Sequence, residues 1–176
     1  TDWKRHMTWT VEKMGPAVVY KARCPESWGW AIATIREWDG GGQLDVQGDY
    51  GAFSCIWTSI GSRRLREFLL QLHMDYFMDK TRSDWRVIDL DASIREGRKY
   101  IIDQRRMGDL SREEARERYD DVADCEDAAN ADDFAGILFR HSWAYRMFDG
   151  FPPVITKVSP QCEAFWEGPW QAFSEC

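Results

Sequence analysis

Apolar and polar positions alternate along the first third of the chain, the period of a strand, and beyond it they recur every third and fourth residue, the period of a helix. Two short β-type runs, 7–13 and 16–23, are separated by Met14-Gly15-Pro16, a turn signal with a proline suited to a strand start or an edge. Cys24-Pro25-Glu26-Ser27 marks the next turn. From Gly29 to Glu37, Trp30, Ile32 and Thr34 alternate with Ala31, Ala33 and Ile35. Both sets are apolar enough for a strand covered on two sides or lying mid-sheet. Asp39-Gly40-Gly41-Gly42 reads as a hairpin loop, since glycine adopts positive φ without a Cβ clash. After it, Leu44, Val46 and Gly48 face one way, and Gln43, Asp45, Gln47 and Asp49 the other. Asp49-Tyr50-Gly51 forms a tight turn, and Phe53, Cys55 and Trp57 then alternate with Ala52, Ser54 and Thr58. The pattern predicts an antiparallel meander of four or five strands.

Helical spacing begins at Ser62, a candidate cap for one helix whose stripe is Leu65, Phe68, Leu69, Leu72, Tyr76 and Phe77. That helix is expected to cover the sheet, with His73 beside the stripe as a partly buried structural histidine. A polar linker at 81–85 leads to a β-type scrap at Arg86–Leu90. Asp91 is the expected cap of a helix through Ile94, Ile101 and Ile102 that stops at Gly108. Ser111 and Glu114 fit a capping box with Leu110 as staple, so a second helix starts at Arg112 and closes a helical hairpin. Asn130 caps a third helix, Ala131 to Phe148, with Phe134, Leu138, His141, Tyr145 and Phe148 on one face and Gly150 as its stop. The tail combines a short strand, Val154–Val158, with Phe165, Trp166, Trp170 and Phe173, which are too apolar to hang free and are expected to pack back on the body.

The expected fold is α+β. Residues 1–85 form an antiparallel sheet with its covering helix. Residues 86–176 form the hairpin, the third helix and the returning tail, and the whole makes one compact unit. With 176 residues, 44% of them hydrophobic, the chain has ample material for a core. Ten Trp is a high count, so some must sit at the rim of the core or on a contact surface. No apolar run approaches the roughly 20 residues of a membrane span, and residues 1–9 contain no apolar signal segment. Five scattered cysteines without a C-x-x-C pair fit reduced thiols rather than a disulfide framework or zinc site.

The net charge of −7 is placed unevenly: residues 1–90 hold 12 basic and 12 acidic side chains, whereas 91–176 hold 11 and 18. That excludes a broad basic nucleic-acid footprint, and no direct nucleic-acid binding is expected. Phosphate-cradle and nucleophile-elbow motifs are absent, and His6, His73 and His141 are too far apart for a local metal pair. No catalytic residue, metal or cofactor is therefore assigned. The one constellation with chemistry is acidic. On the helix from Arg112, residues Glu113, Glu117, Asp120, Asp124 and Asp127 follow at intervals of 4, 3, 4 and 3, a single stripe roughly 21 Å long at about 1.5 Å per residue. Asp121, Glu126, Asp132 and Asp133 add charge nearby. Such a stripe is either a solvated face part-neutralised by Arg112, Arg116 and Arg118, or a surface that competes with nucleic acid for a partner's basic groove.

The stretch 30–61 followed by 65–80 resembles a family of small uncharacterised proteins of tailed bacteriophages and prophages. The matching features are Val46-Gln47-Gly48-Asp49, Gly51, Trp57, Phe68-Leu69 and Asp75-Tyr76-Phe77, with the arginine-rich piece from Tyr100 to Tyr119. The resemblance implies a phage-encoded protein acting in the cytoplasm of a bacterial host; it assigns no site residue. The leading expectation is a non-enzymatic protein that inhibits a host nucleic-acid-handling defence complex, such as a CRISPR effector, through the acidic helical surface. The alternatives are a phage accessory protein that self-associates as a homodimer, or a small enzyme whose site is not readable from sequence.

Overall fold

The computed structural model describes residues 15–26 and 29–175, which divide into two compact units: the described residues up to Arg82 together with 164–175, and Ser83–Glu163. The fold is α+β, an N-terminal four-stranded antiparallel sheet followed by helices.

In the first unit β1 (Val18–Arg23), β2 (Trp30–Trp38), β3 (Gly41–Gly48) and β4 (Gly51–Trp57) pair in sequence order. The expected run at 7–13 lies outside the described residues. Period two is realised as one buried and one open face. Ala31, Ala33, Leu44, Val46, Phe53 and Trp57 are buried, while Arg36, Gln47, Ala52, Ser54 and Ile56 are exposed. β2 is therefore covered on one side, although its composition also suits two-sided cover. Phe53 is in van der Waals contact with the tail: its ring stacks on Phe165 at 4.1 Å between centroids.

The glycine run is not a loop. Asp39 and Gly40 make a two-residue turn, with Gly40 at φ +72°, and Gly41 and Gly42 are already strand residues opposite Trp38 and Glu37. They are small because the site is crowded. A Cβ on Gly41 would meet Trp57 O at 2.5 Å, and one on Gly42 would meet Arg36 O at 2.7 Å. The next turn, Asp49-Tyr50, closes on Gly51 at φ +100°, and the Asp49 carboxylate accepts the Trp30 N–H at 3.1 Å.

The covering helix is two helices, α1 (Leu65–Leu69) and α2 (Met74–Thr81). Ser62 does not cap α1. Its first free N–H, on Leu65, is taken by Glu37 of β2 at 3.0 Å, so the cap comes from a distant strand. The break at 70–73 lets Leu65 and Leu69, then Phe77 and Met78, each reach the sheet, and it leaves Tyr76 and His73 exposed. His73 is the exposed N-cap position of α2, not a buried structural histidine. The tail is helical: α7 (Pro160–Phe165), a π-helical turn (Trp166–Trp170) and α8 (Gln171–Glu175). Phe165 and Trp170 are buried among Phe53 and Phe77. Residues 164–175 thus belong with the sheet rather than with the helices they follow.

In the second unit β5 (Arg86–Ile88) pairs with β6 (Thr156–Val158). α3 (Leu90–Met107) is capped by Asp89, whose carboxylate accepts the Ala92 N–H, and not by Asp91, which sits in the first turn where its charge suits the helix dipole. Gly108, left-handed at φ +90°, ends it. The predicted third helix splits into α5 (Ala131–Leu138) and α6 (Ala144–Met147), so Tyr145 points to solvent at 65% exposure while Phe134, Leu138 and Phe148 are buried. The core joins these to Ile94, Ile101, Val122 and Cys125.

Candidate interaction surface

α4 (Arg112–Asp121) begins at the predicted capping box: the Glu114 N–H donates to Ser111 Oγ at 3.1 Å, and the Ser111 N–H donates to Glu114 Oε2 at 2.9 Å. The Ser111 backbone N–H first, and the Ser111 hydroxyl after it, hold the Glu114 carboxyl below its ordinary pKa, because each favours the charged form. Glu113, Glu117 and Asp120 are exposed along this helix, as the spacing predicts.

The stripe does not continue as one line. At Asp121 the α-helix gives way to a 3-10 helix, Val122–Asp127, which turns every three residues. Val122, Cys125 and Ala128 then share the buried edge, and Asp121, Asp124 and Asp127 share another edge at the same spacing. Asp124 and Asp127 therefore stack with Asp121 instead of extending the line of Glu113, Glu117 and Asp120. The reason is packing: a spacing of three in the apolar residues fits the tighter helix.

Three of the eight predicted carboxylates have partners inside the unit. Asp121 accepts the Trp143 indole N–H at 2.8 Å and lies 3.3 Å from Nδ1 of His141. Asp124 lies 3.2 Å from Nε2 of the same ring. Asp133 accepts the Ala129 N–H at 3.0 Å while its own N–H is capped by Asn130, so it serves the start of α5. The remaining five, Glu113, Glu117, Asp120, Asp127 and Asp132, are exposed and make no ion pair or hydrogen bond through their side chains with any described residue. The arginine that pairs on this helix is Arg118, and it takes Glu114 at 3.6 Å, outside the predicted set.

An open concavity of about 560 Å³ sits against the 3-10 helix, lined by Asp124, Glu126, Asp127, Arg140 and His141. On the buried edge of the same 3-10 helix, burial and then the nearby charges of Asp124 and Asp133 push the Cys125 thiol up to about 11. Among the described residues no group of three or more His, Cys, Asp or Glu is arranged to hold a metal. Sequence spacing did not reveal the part played by His141 and Trp143. They lie beyond the acidic run in the chain, and only the split between α5 and α6 brings them back onto it.

No described helix is long and apolar enough to cross a membrane. No curated protein and no solved structure matches the chain. A family model does, over residues 10–172, a span that includes the sheet, the acidic helices and all but the last four residues of the aromatic tail, and on that match the chain belongs to the phage family Phage_phiTE_072.

Proposed function

We propose that this phage protein acts by binding, in the cytoplasm of the bacterial host. In this reading the unit 83–163 offers its acidic face to the basic groove of a host nucleic-acid-handling defence complex and competes there with nucleic acid. The observation that supports the reading is the set of uncompensated carboxylates. Between 112 and 133 there are ten acidic residues against three arginines, and Glu113, Glu117, Asp120, Asp127 and Asp132 face solvent. Like charges at these spacings disfavour a helix slightly, so their retention without internal partners is what a charge-complementary contact would use. Such a face accelerates encounter with a basic protein, and salt weakens it.

The test is affinity capture from the bacterial host with the unaltered chain and with Asp120→Lys, Asp127→Lys and Asp132→Lys combined. Salt-sensitive capture of one complex, lost in the triple variant, is the expected result. Capture that survives both the substitutions and high salt would remove the acidic face from the contact.

A second reading, self-association, has its own support in β1, where Val18 and Val19 are 54% and 61% exposed on an edge of the described sheet. Sedimentation of the isolated chain above 20.6 kDa would favour it.

A further inference from the structure

A second concavity on the same unit is built from different chemistry. It opens to about 580 Å³ between the C-terminal half of α3, the turn that follows it, α4 and the head of α6. Tyr100 and Gln104 come from α3, Arg118 from α4, and Trp143 and Arg146 from the α6 segment. In a unit with 18 acidic and 12 basic residues, this lining holds two guanidinium groups and one carboxylate, Asp109.

Part of the lining is held in place. The Trp143 indole is fixed by its N–H bond to Asp121, and the Arg118 guanidinium stands 5.6 Å from the centre of that ring while pairing with Glu114. Glu114 is anchored in turn by the Ser111 capping box. Tyr100 rests on Phe148 at 5.3 Å between ring centres and still exposes 39% of its surface. Other groups are unspent. The side chains of Gln104, Ser142 and Arg146 make no hydrogen bond or ion pair with any described residue, although all three line the groove. Fixed aromatic surface beside free donors and acceptors is the composition of a ligand site.

We propose that this groove binds a nucleoside phosphate, with its base against Tyr100 and Trp143 and its phosphate on Arg118 and Arg146. Aromatic rings accept any base face by stacking, the Gln104 amide both donates and accepts at a base edge, and guanidinium forks match phosphate oxygens. The ligand is a free nucleotide or one unit of a single strand; both present the same chemistry. This site is separate from the acidic face, and neither reading requires the other.

The full chain is titrated by calorimetry with adenosine monophosphate and with inorganic phosphate, and by fluorescence polarisation with a labelled short oligothymidine. Adenosine monophosphate is expected to bind at least about tenfold more tightly than phosphate, because stacking adds to the charge contact. Arg146→Glu, at an exposed position without a partner, is expected to weaken binding by about tenfold or more with the circular dichroism spectrum unchanged. Asp132→Lys on the acidic face is expected to leave it unaltered. Tighter binding of the strand assigns the groove to single-stranded nucleic acid, and equal or weaker binding assigns it to the free nucleotide. The proposal is overturned if neither probe binds, if phosphate binds as tightly as the nucleotide, or if Arg146→Glu binds normally.

Discussion

Nε2 of His141 lies 3.2 Å from the carboxylate of Asp124, which ties the turn between α5 and α6 to the 3-10 helix that follows α4. The ring's other nitrogen, Nδ1, faces Asp121 at 3.3 Å, so one imidazole spans both carboxylates. The contact joins segments with no regular pairing between them. His141→Ala is expected to destabilise the chain by about 1–2 kcal/mol, the range for losing a partly buried hydrogen-bonding side chain. Thermal denaturation checks it, with Asp124→Asn expected to show a smaller loss because Asp124 is the more exposed partner.

The start of β3 tolerates no side chain. Gly41→Ala would place a methyl 2.5 Å from Trp57 O and 2.6 Å from Trp38 Nε1, and the first of these is backbone held in the ladder. The expected cost is about 1–3 kcal/mol, as for overpacking elsewhere. Gly61→Ala is a control of another kind: it has open space but sits at φ +72°, so its cost is backbone strain alone. Denaturant midpoints compare the two, and equal losses would argue against the steric account.

The aromatic tail belongs to the core of the sheet unit. Phe165 stacks on Phe53 and lies 6.1 Å from Phe77, with no exposed surface. Phe165→Ala should therefore cost about 3–5 kcal/mol, the loss expected for a buried aromatic. Truncation before Ala164 should expose the sheet's inner face and cause aggregation. A truncated chain that stays soluble with unchanged near-ultraviolet dichroism would contradict this.

Cys125 should resist alkylation. Burial first, and the charges of Asp124 and Asp133 after it, push its thiol up to about 11, so the native chain at pH 8 presents almost no thiolate there. The sign for stability follows. The folded chain keeps this proton to higher pH than the unfolded chain, whose thiol titrates near 8.5. Its contribution is present below that value and is lost as pH rises through the folded value. Iodoacetamide labelling read by mass spectrometry should modify Cys125 only in denaturant, and rapid native labelling at pH 8 would show the turn to be open.

Much of this fold was legible in contiguous residues. The alternation in 30–57 marks three strands, and the Ser111–Glu114 box, the Asn130 cap and the Gly108 stop each stand where local chemistry puts them. Helix interiors were less legible. No Gly or Pro lies at 70–73 or at 139–143, yet both helices break there, so the residues themselves do not announce the interruption. Of the acidic residues, Glu113, Glu117 and Asp120 were placed along one exposed edge of α4. Those beyond Asp121 were not, because the change from 3.6 to 3 residues per turn is dictated by burial of Val122, Cys125 and Ala128.

By itself, then, the sequence determined the α+β class, the alternation of strands 30–57, the Ser111 and Asn130 caps, the Gly108 stop, and the excess of negative charge in the second half. These depend on neighbours within a few residues, whose steric and hydrogen-bonding preferences act before any long-range contact forms. Tertiary structure alone decided where the helices break, that Glu37 caps α1, that the aromatic tail joins the sheet, and that His141 is placed against Asp121 and Asp124. Each of those depends on which apolar side chains find partners far away in the chain, and burial of that surface outweighs the local preference to continue a helix.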